Sequence, residues 1–247
     1  MLSLVMPAYN EEGSIEGTVR AFHKALAGEA IEHEILVVND NSSDNTEKIL
    51  IGLEEEIKEL RHVENLPPNG FGMAVIKGLE EFKGDYVAIV MADFSDSPKD
   101  LIKFYYEIKK GYDCVFGSRF VKGGETFDYP PHKMILNRIT NNLIKILFNL
   151  KYNDVTNAFK MYRKETIDGL KPFLSKHFNL TVELPLKSIV RGYSYSIIPN
   201  KWRNRKAGVA KLKIKEMGSR YFFIILYCLL EKWLSKGDYR KLRENRA

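Results

Sequence analysis

The first half of the chain alternates short apolar runs with longer segments in which apolar residues recur at helical spacing. The apolar runs, rich in Val, Ile and aromatic residues, are LSLVMPAY, EILVVND, YVAIVMAD and DCVFGSRF. The helical segments between them are EGTVRAFHKALAG, NTEKILIGLEEEIKEL, FGMAVIKGLEEFKG and KDLIKFYYEIKKG. Alternating strands and helices predict an α/β fold with a mainly parallel sheet covered by helices on both faces.

The pattern changes near Val121. The segment KGGETFDYPPH predicts a loop, and the segment 132–152 after it predicts a basic amphipathic helix. One side of this helix carries Met134, Leu136, Ile139, Leu143, Ile146 and Leu147, and the other sides carry Lys133, Arg138, Asn142 and Lys145. Such a helix packs on a protein core or lies in a membrane interface, and the pattern alone favours packing.

The C-terminal segment 219–247 contains ten consecutive uncharged apolar residues, Tyr221 to Leu230, followed by Trp233 and a strongly basic end. A membrane-spanning helix needs about 20 such residues, so no ordinary transmembrane segment is predicted. An aromatic, apolar helix flanked by Arg and Lys suits attachment to an anionic lipid leaflet, and an oligomer interface has a similar pattern. Both alternatives stay open at this point.

The bulk composition is that of an ordinary globular protein. Its 247 residues are 45% hydrophobic and 28% charged, which excludes wholesale disorder and a fibrous class. We expect one α/β domain over 1–213, with a first half 1–120 and a second half 121–213. The segment 214–247 is predicted to be a C-terminal helix that contacts a membrane or another subunit.

The net charge, the cysteines and the N-terminus indicate the kind of partner and the compartment in which the protein acts. The net charge of +6 suits an anionic partner but does not choose among phosphate, a membrane surface and nucleic acid. Cys114 and Cys228 lie far apart in apolar runs, so we expect two buried free thiols and a reducing compartment. The start MLSLVMPAYNEEG lacks the basic and long apolar regions of a signal peptide and predicts a first strand.

Acidic and polar residues follow three of the predicted strands, in the segments PAYNEE, NDNSSDNT and ADFSDSP. In parallel sheets, ligands bind beyond the carboxyl ends of the strands. Helix capping explains Asn10, Ser43 and Thr46 at least as well as ligand binding does. Two acidic clusters at successive strand ends are harder to explain by capping, and they would supply carboxylates to the N–H groups of a base and the hydroxyls of a ribose.

Two short segments resemble known binding motifs but lack residues that those motifs require. NDNSSDNT begins with the spacing of a calcium-binding loop, but Asn45 stands where the turn needs Gly and Ile51 where a bidentate Glu is required. GFG at residues 70–72 begins like a dinucleotide-binding fingerprint, but its third glycine position is Val75. A helix-opening loop that lets the backbone approach a ligand closely stays plausible at Gly70 and Gly72.

A wider resemblance rests on six motifs in order. They are PAYNEE, VVNDNSSDNT, NGFGMAVIKGLEEFKGDYVAIVMAD, FGSRF, DVTNAFKMYR and KWRNRKAGVAKLK. Together they resemble the family 2 glycosyltransferases of the GT-A fold, and most nearly the polyprenyl-phosphate glycosyltransferases of the dolichol-phosphate mannosyltransferase type. The resemblance runs from about Leu2 to Lys213. It implies a Rossmann-like sheet, a nucleotide-sugar in the half 1–120 and an acceptor in the half 121–213.

The resemblance also implies the residues that bind the donor. The segment PAYNEE matches the motif that packs on and bonds the base, through Pro7, Ala8, Tyr9 and Glu11. Asp40 matches the second acid of the family's Asp-Asp pair, and Asn39 replaces the first, keeping an acceptor oxygen without the charge. The Gly70 and Gly72 loop completes the expected nucleotide-sugar site.

Asp93 matches the last acid of the family's Asp-x-Asp metal motif, which implies Mg²⁺ or Mn²⁺ on the donor diphosphate. Met91 stands where the first acid is expected, and a thioether is a poor ligand for these hard cations. Ser95 and Asp96 are the nearest other oxygen donors. The hypothesis is that Asp96 restores the missing carboxylate.

The resemblance also implies that cationic residues, most of them in the half 121–213, bind the acceptor phosphate. Arg119 offers a planar donor fork, Arg205 and Lys211 match the family's Arg-x-x-Gly-x-Ser-Lys element, and Arg138 is a weaker candidate. Ala210 replaces the serine of that element. With Asp93, the residues Arg119, Arg205 and Lys211 form the expected catalytic set.

Two acids of the second half are expected to support the site. Asp154 in DVTNAF matches the first residue of the family's Asp-x-Thr-Ser-Gly-Phe motif, although Asn157 and Ala158 replace its Ser-Gly. Glu183 is expected to orient a cation or a sugar hydroxyl.

The expected function is inverting transfer of a hexose, of the mannose or glucose type, from a GDP- or UDP-sugar to a dolichyl or undecaprenyl phosphate. The enzyme would be peripheral on the cytosolic face of the membrane, with an anionic lipid surface rather than nucleic acid as its partner. A homo-oligomer or a separate membrane-spanning partner is compatible with this. One alternative is a soluble transferase to a glycan or protein hydroxyl, with Asp154, Asp96 or Glu183 as base. The other is a nucleotide-sugar-binding scaffold that has lost catalysis.

Overall fold

The computed structural model describes residues 1–205, 214–235 and 238–239. Seven strands form the main sheet and two short strands form a second one. In chain order the strands are β1 (Leu2–Ala8), β2 (His33–Asn39), β3 (Leu60–Glu64), β4 (Tyr86–Ile89), β5 (Cys114–Ser118), β6 (Glu125–Phe127), β7 (Lys160–Arg163), β8 (Tyr195–Pro199) and β9 (Lys201–Arg203). The second sheet consists of β6 and β9.

Helices connect most of these strands. They are α1 (Ile15–Gly28), α2 (Thr46–Glu56), α3 (Phe71–Glu81), α4 (Pro98–Ile108), α5 (Pro131–Phe148), α6 (Lys164–Leu170), α7 (Leu180–Val190) and α8 (Ile214–Leu234). The sequence pattern predicted β1, β2, β4, β5 and the helices α1 to α5 and α8. It did not predict β3 or the elements β6 to β9, α6 and α7.

The main sheet has the order β3-β2-β1-β4-β7-β5-β8. Strand β7 runs antiparallel to its neighbours β4 and β5, and the other pairings are parallel. The prediction of a mainly parallel α/β sheet is therefore confirmed.

Apolar side chains of the sheet point alternately to two separate cores, as the period of two along a strand requires. Val5, Leu36 and Val38 belong to one core, which is covered by α3, α5, α7 and α8. Leu4, Met6 and Val37 belong to the other, which is covered by α1, α2 and α4. Helices thus cover both faces, as predicted.

Helix α5 does not pack in the way that its pattern favoured. Its buried residues are Asn141, Ile144 and Phe148, and its predicted apolar side is largely exposed. On the inner side, Ile144 and Phe148 pack in the core, and the Asn141 side-chain amide donates to Asn137 O at 2.9 Å and to Thr156 Oγ1 at 2.9 Å. The helix therefore packs through these three residues, and its predicted apolar side faces outward.

Helix α8 packs on α7 through one side only. Ile224, Ile225, Cys228 and Leu229 are buried, whereas the exposed residues are Phe222, Phe223, Leu226, Leu230, Trp233 and Leu234. Glu231 of α8 accepts two bonds from the buried Arg191 guanidinium, at 2.7 and 3.0 Å. This ion pair fixes α8 to the domain.

Cys114 and Cys228 are both buried and neither forms a disulfide, as the sequence predicted. Among residues 1–205, 214–235 and 238–239, no helix combines the length and the apolar character needed to cross a membrane.

Candidate active site

The predicted donor-binding segments meet at one edge of the sheet. Strands β2, β1 and β4 are parallel neighbours, so the loops after Asn39, Ala8 and Ile89 lie side by side. The chain passes from β1 to β2, its neighbour on one side, and only later reaches β4, its neighbour on the other side. A crevice forms where the strand order changes direction in this way, and ligands bind in such a crevice in open α/β sheets.

Hydrogen bonds join the loop after β1 to the loop after β2. Asn10 Oδ1 accepts from Ser43 N at 2.8 Å, and Glu11 N donates to Thr46 Oγ1 at 2.9 Å. Asn10 Nδ2 also donates to Ser43 Oγ at 3.3 Å. The side chains of Asn10, Ser43 and Thr46 therefore link the loops and do not cap the helices that follow, which corrects the capping interpretation. Tyr9, beside them, is 41% exposed, whereas Pro7 and Ala8 are buried within β1.

Asp40 shapes the loop that leads into α3. Its carboxylate accepts from Gly70 N at 2.9 Å, from Asn65 Nδ2 at 2.6 Å and from Asn69 Nδ2 at 3.3 Å. The side chain is buried. In this structure the predicted ligand-binding acid holds the Gly70 loop in place.

The two glycines of this loop have different reasons to be glycine. Gly70 has a φ of 135°, a region that side chains rarely adopt. A Cβ at Gly72 would lie 2.4 Å from His177 N and from the carbonyl carbon of Lys176. The close approach predicted for Gly72 is therefore made by another part of the chain, the 176–177 backbone.

Glu64 at the end of β3 was missed by the sequence analysis, because β3 itself was missed. It lies opposite Asn39 in the sheet register, and its Oε1 accepts from Asn39 Nδ2 at 2.8 Å. The negative charge lost at Asn39 is thus present one strand away. One potential ligand atom from each of Glu47, His62 and Glu64 lies within 4.8 Å of the others. The sequence would have indicated Glu64 only if the pairing of β3 with β2 had been recognised.

Arg205 joins two of the predicted acids. Its Nη2 lies 2.7 Å from Asp93 Oδ2, and its Nη1 lies 3.5 Å from Glu11 Oε1. The other Asp93 oxygen accepts from Ser95 N at 3.1 Å, and Phe94 between them has a left-handed φ of 59°. The structure therefore brings Glu11, Asp93 and Arg205 into one charged cluster.

Asp96 is placed differently from the hypothesis that made it a replacement for the ligand missing at Met91. It is buried, and its Oδ2 accepts from the backbone N–H of Met91 itself at 3.0 Å. Burial raises the pKa of Asp96 to about 7, against the opposing hydrogen bond from Met91 and with the charge of Asp93 adding to the rise. Ser95 is also buried, and its carbonyl accepts from Arg203 N at 3.1 Å. Both residues hold the loop after β4.

Arg119 is buried against Asp154. Its Nε and Nη2 donate to the two Asp154 oxygens at 2.8 and 2.7 Å, and the backbone N–H of Arg119 donates to the same carboxylate at 3.0 Å. The rings of Phe120, Tyr129 and Trp202 lie 5.5 to 5.7 Å from the guanidinium. Burial alone lowers the pKa of Arg119, but the charge and hydrogen bonds of Asp154 outweigh it and hold the pKa above its ordinary value.

The remaining predicted residues are separated. Arg138 Nη1 donates to Asn153 O at 2.9 Å, and its guanidinium lies 4.2 Å from the Phe120 ring, which places it beside Arg119. Glu183 is a buried residue of α7, and its Oε1 lies 2.5 Å from Nζ of Lys187 on the same helix. The cation that Glu183 orients is therefore Lys187. Lys211 lies outside the described residues.

Relatives of known name cover most of the chain. A profile described as Glycosyl transferase family 2 matches residues 3–170. A polyprenol monophosphomannose synthase from Mycolicibacterium smegmatis is 27% identical over 215 residues, which cover 85% of this chain and 80% of that protein. A dolichol-phosphate mannosyltransferase from Pyrococcus furiosus is 30% identical over 221 residues, 87% of this chain, and the chain spans 60% of that protein's length.

Solved structures with the same architecture include glucosyl-3-phosphoglycerate synthase from Mycobacterium tuberculosis. Its complex with Mn²⁺, UDP and phosphoglyceric acid has a TM-score of 0.69 at 18% identity, covering 94% of this chain and 78% of that one. Its complex with Mn²⁺, UDP-glucose and phosphoglyceric acid has a TM-score of 0.70 at 17% identity, covering 94% and 79%. At these identities the likeness establishes the fold alone, and it confirms the predicted GT-A architecture.

Proposed function

The chain belongs to glycosyl transferase family 2, and from this premise we propose that it moves a hexose from a nucleotide-sugar to a polyprenyl phosphate at a membrane surface. Family and enzyme class, a glycosyltransferase, agree with the sequence prediction. The acceptor is proposed from the names of the two relatives. The donor sugar, of the mannose or glucose type on GDP or UDP, belongs to the same proposal.

The observation that carries the proposal is the outward-facing apolar side of α5 and α8. The two helices are joined where Lys232 Nζ donates to Phe148 O at 3.1 Å. On α5, Ile139 is 60% and Ile146 77% exposed, and on α8, Trp233 is 62% exposed. Apolar patches of this kind mark sites that contact a membrane or another protein. A lipid acceptor gives both helices a purpose, because shallow insertion would bring the acceptor phosphate to the protein.

The donor set at Asp93 fits the divalent cation that the family implies. Asp93 already holds a positive group, the Arg205 guanidinium, at 2.7 Å, and a carboxylate oxygen is the hard ligand that Mg²⁺ and Mn²⁺ prefer. Mg²⁺ is commonly bound by one or two carboxylates together with substrate phosphates. We assign Asp93 as the residue that would hold the cation, which would neutralise charge on the departing nucleoside diphosphate.

Residues of the chain supply the rest of the proposed chemistry. The leaving group gains negative charge in the transition state, so a cation near it stabilises the transition state more than the ground state. Arg205, in contact with Asp93 and Glu11, is the described cation best placed for this work. Arg119 and Arg138 would face the acceptor. A phosphate monoester has a second pKa of about 6 and needs no base to become a nucleophile at neutral pH.

The state of the three candidate bases favours a phosphate acceptor over an alcohol. Asp154 is bound by Arg119, Glu183 is paired with Lys187 in the interior, and Asp96 is buried against Met91 N. Each carboxylate is committed to a contact within the chain. An alcohol acceptor would need one of them released to remove its proton, so the soluble transferase is the weaker hypothesis.

The proposal is tested with purified protein, Mg²⁺ or Mn²⁺, vesicles that contain polyprenyl phosphate and a set of labelled GDP- and UDP-hexoses. Transfer of label to the lipid, lost in Asp93→Asn, is the expected result. A protein that transfers sugar to a soluble alcohol but not to the lipid would support the soluble alternative. Donor binding with no turnover on any acceptor would support the scaffold. Sedimentation of the protein with the same vesicles tests the peripheral membrane location, and its mass in solution tests for an oligomer.

A further inference from the structure

A cavity of about 380 Å³ lies between the loop that precedes α7 and the exposed part of α8. It is lined by Leu174, Lys176, His177, Asn179, Ser219, Arg220 and Phe223. Three of these residues are basic: Lys176, His177 and Arg220. Within the described residues, no acidic side chain lines the cavity. A concave surface that carries one sign of charge concentrates ions of the opposite sign.

Two of the cavity's cations lack a carboxylate partner. Lys176 and Arg220 form no ion pair with any residue in the part of the chain that the structure describes. By contrast, Arg119, Arg191 and Arg205 each lie within 2.7 Å of a carboxylate oxygen. The cationic side chains at the cavity are therefore available to an anion from outside.

A buried polar group at the cavity points to a ligand independently. Asn179 is only 5% exposed, and its Oδ1 has no hydrogen-bond partner among the described residues. A buried amide atom without a partner is costly, and natural proteins satisfy nearly all of them with protein, water or ligand. The Asn179 amide carries a donor as well as an acceptor, so rotation about its last torsion can offer either one.

The remaining lining is apolar. Leu174 is 37% and Phe223 59% exposed, and Phe223 belongs to the outward-facing side of α8 described above. The cavity also lies close to the donor edge, because the 176–177 backbone packs on Gly72 and Gly70 N is bonded to Asp40. Its ligand would therefore have an anionic head and an apolar chain that can continue along α8.

We propose that this cavity binds the phosphate group of a lipid, held by Lys176, Arg220 and Asn179, with the lipid chain over Leu174 and Phe223. Two lipids share this chemistry: the polyprenyl phosphate acceptor and an anionic phospholipid of the bilayer. The first of these rests on the proposed function, and the second does not. In the first case the acceptor phosphate would lie at these residues and not at Arg119 and Arg138; in the second case the acceptor keeps the place given to it above.

The experiment compares the full chain with the double variant Lys176→Ala/Arg220→Ala. One arm measures binding of citronellyl phosphate, a soluble short prenyl phosphate, and of inorganic phosphate by calorimetry. The other arm measures partition onto phosphatidylcholine vesicles with and without phosphatidylglycerol. Each cation near an anionic lipid contributes about a factor of five, so the double variant should lose about thirtyfold in the arm that reports its natural ligand.

A matched control removes the same charge elsewhere. Lys24→Ala/Lys58→Ala changes two exposed lysines on α1 and after α2, helices that cover the opposite core. It should leave both arms unchanged. Asn179→Asp is a second test, because it introduces a carboxylate with little change in side-chain size and should weaken the same binding.

Loss of citronellyl phosphate binding identifies the acceptor as the ligand, and loss of phosphatidylglycerol-dependent partition identifies a bilayer lipid. Either result supports the proposal. Unchanged binding in both arms overturns it, as does an equal loss in the control variant. These binding measurements contain no nucleotide-sugar and do not depend on glycosyl transfer. Failure of the separate transfer assay would therefore contradict the proposed function without changing the outcome of the binding measurements.

Discussion

The Arg119 guanidinium lies flat against the Asp154 carboxylate, with Nε 2.8 Å from one oxygen and Nη2 2.7 Å from the other. Both side chains are buried, and three aromatic rings surround the guanidinium. Two parallel bonds fix the direction of a planar cation. The acid thus orients the cation, and the supporting role of Asp154 in an active site stays a prediction.

Asp154→Asn should be strongly destabilising, because it leaves the Arg119 charge buried without compensation. Breaking one partner of a buried ion pair costs about 3–5 kcal/mol. The free energy of unfolding in urea measures this. Asp168→Asn is the matched control: its pair with Lys171 is exposed, and such pairs are worth about 0–1 kcal/mol. Equal effects of the two substitutions would contradict the buried-pair interpretation.

The sequence predicted elements best where apolar residues alternate cleanly or recur at helical spacing. Strands β1 and β2 were predicted to within about one residue. Strand β3 was missed because the apolar spacing of the segment 45–60 continues to Leu60, whereas α2 ends at Glu56 and Ile57 is already extended. Helix α7 was missed because it is buried nearly all round and contains Pro185. A helix of this kind has no polar side to reveal its period.

The sequence predicted which residues belong to the candidate site, but not which of them pair with one another. The acids and arginines at strand ends were recognisable, but the pairing of Asp93 with Arg205 and of Arg119 with Asp154 joins distant parts of the chain. Such pairs depend on how loops pack, which no local pattern encodes. For the same reason the pattern favoured packing of the apolar side of α5, whereas the structure packs this helix through Asn141, Ile144 and Phe148.

Metal binding should depend on Asp93 and not on Asp96. Asp93→Asn removes the carboxylate that holds Arg205 and should abolish Mn²⁺ binding measured by calorimetry in the presence of GDP or UDP. Asp96→Asn keeps an oxygen that can accept from Met91 N, so the loop and the Mn²⁺ affinity should persist. Loss of Mn²⁺ binding in Asp96→Asn, with unfolding unchanged, would restore Asp96 as the replacement ligand.

Substitutions on the outward-facing side of α5 should weaken membrane binding without loss of stability. Leu143 and Ile146 are 52% and 77% exposed. Shallow insertion of each should be worth about 1 kcal/mol, so Leu143→Ser/Ile146→Ser should reduce partition onto anionic vesicles about thirtyfold. Ile51→Ser, at a 49% exposed site on α2, is the control and should partition like the unchanged protein. If the two variants partition alike, α5 does not insert.

Gly72→Ala tests whether this glycine serves packing or ligand approach. The new Cβ would meet the 176–177 backbone at 2.4 Å, and overpacking of this kind costs about 1–3 kcal/mol. Gly52→Ala on α2 meets open space and should instead stabilise by about 0.5–1 kcal/mol. Urea unfolding of both variants gives the answer. A Gly72→Ala protein of unchanged stability that binds GDP or UDP poorly would favour the ligand-approach hypothesis.

Lys160 should make the free energy of unfolding depend on pH above neutrality. Its Nζ is buried and donates to the carbonyls of Val155 at 3.0 Å, of Thr181 at 3.1 Å and of Asn157. Burial lowers the pKa of Lys160 from 10.5 to about 7. Between these two values the unfolded chain binds more protons than the folded one, so stability contributed at this site rises with pH across that window. Below pH 7 both states are charged, so the pH dependence from this site ends and its cost to stability is greatest.

Lys160→Met removes this titration and leaves three carbonyls without their donor. It should therefore lower stability at every pH, and the gap between unchanged protein and variant should widen as pH rises from about 7 toward 10. Urea unfolding at a series of pH values measures the gap, with Lys151→Met, an exposed lysine, as the control that should follow the unchanged protein. Parallel profiles for Lys160→Met and the unchanged protein would show that the three carbonyls keep the Lys160 ammonium charged throughout, and that burial does not govern its pKa.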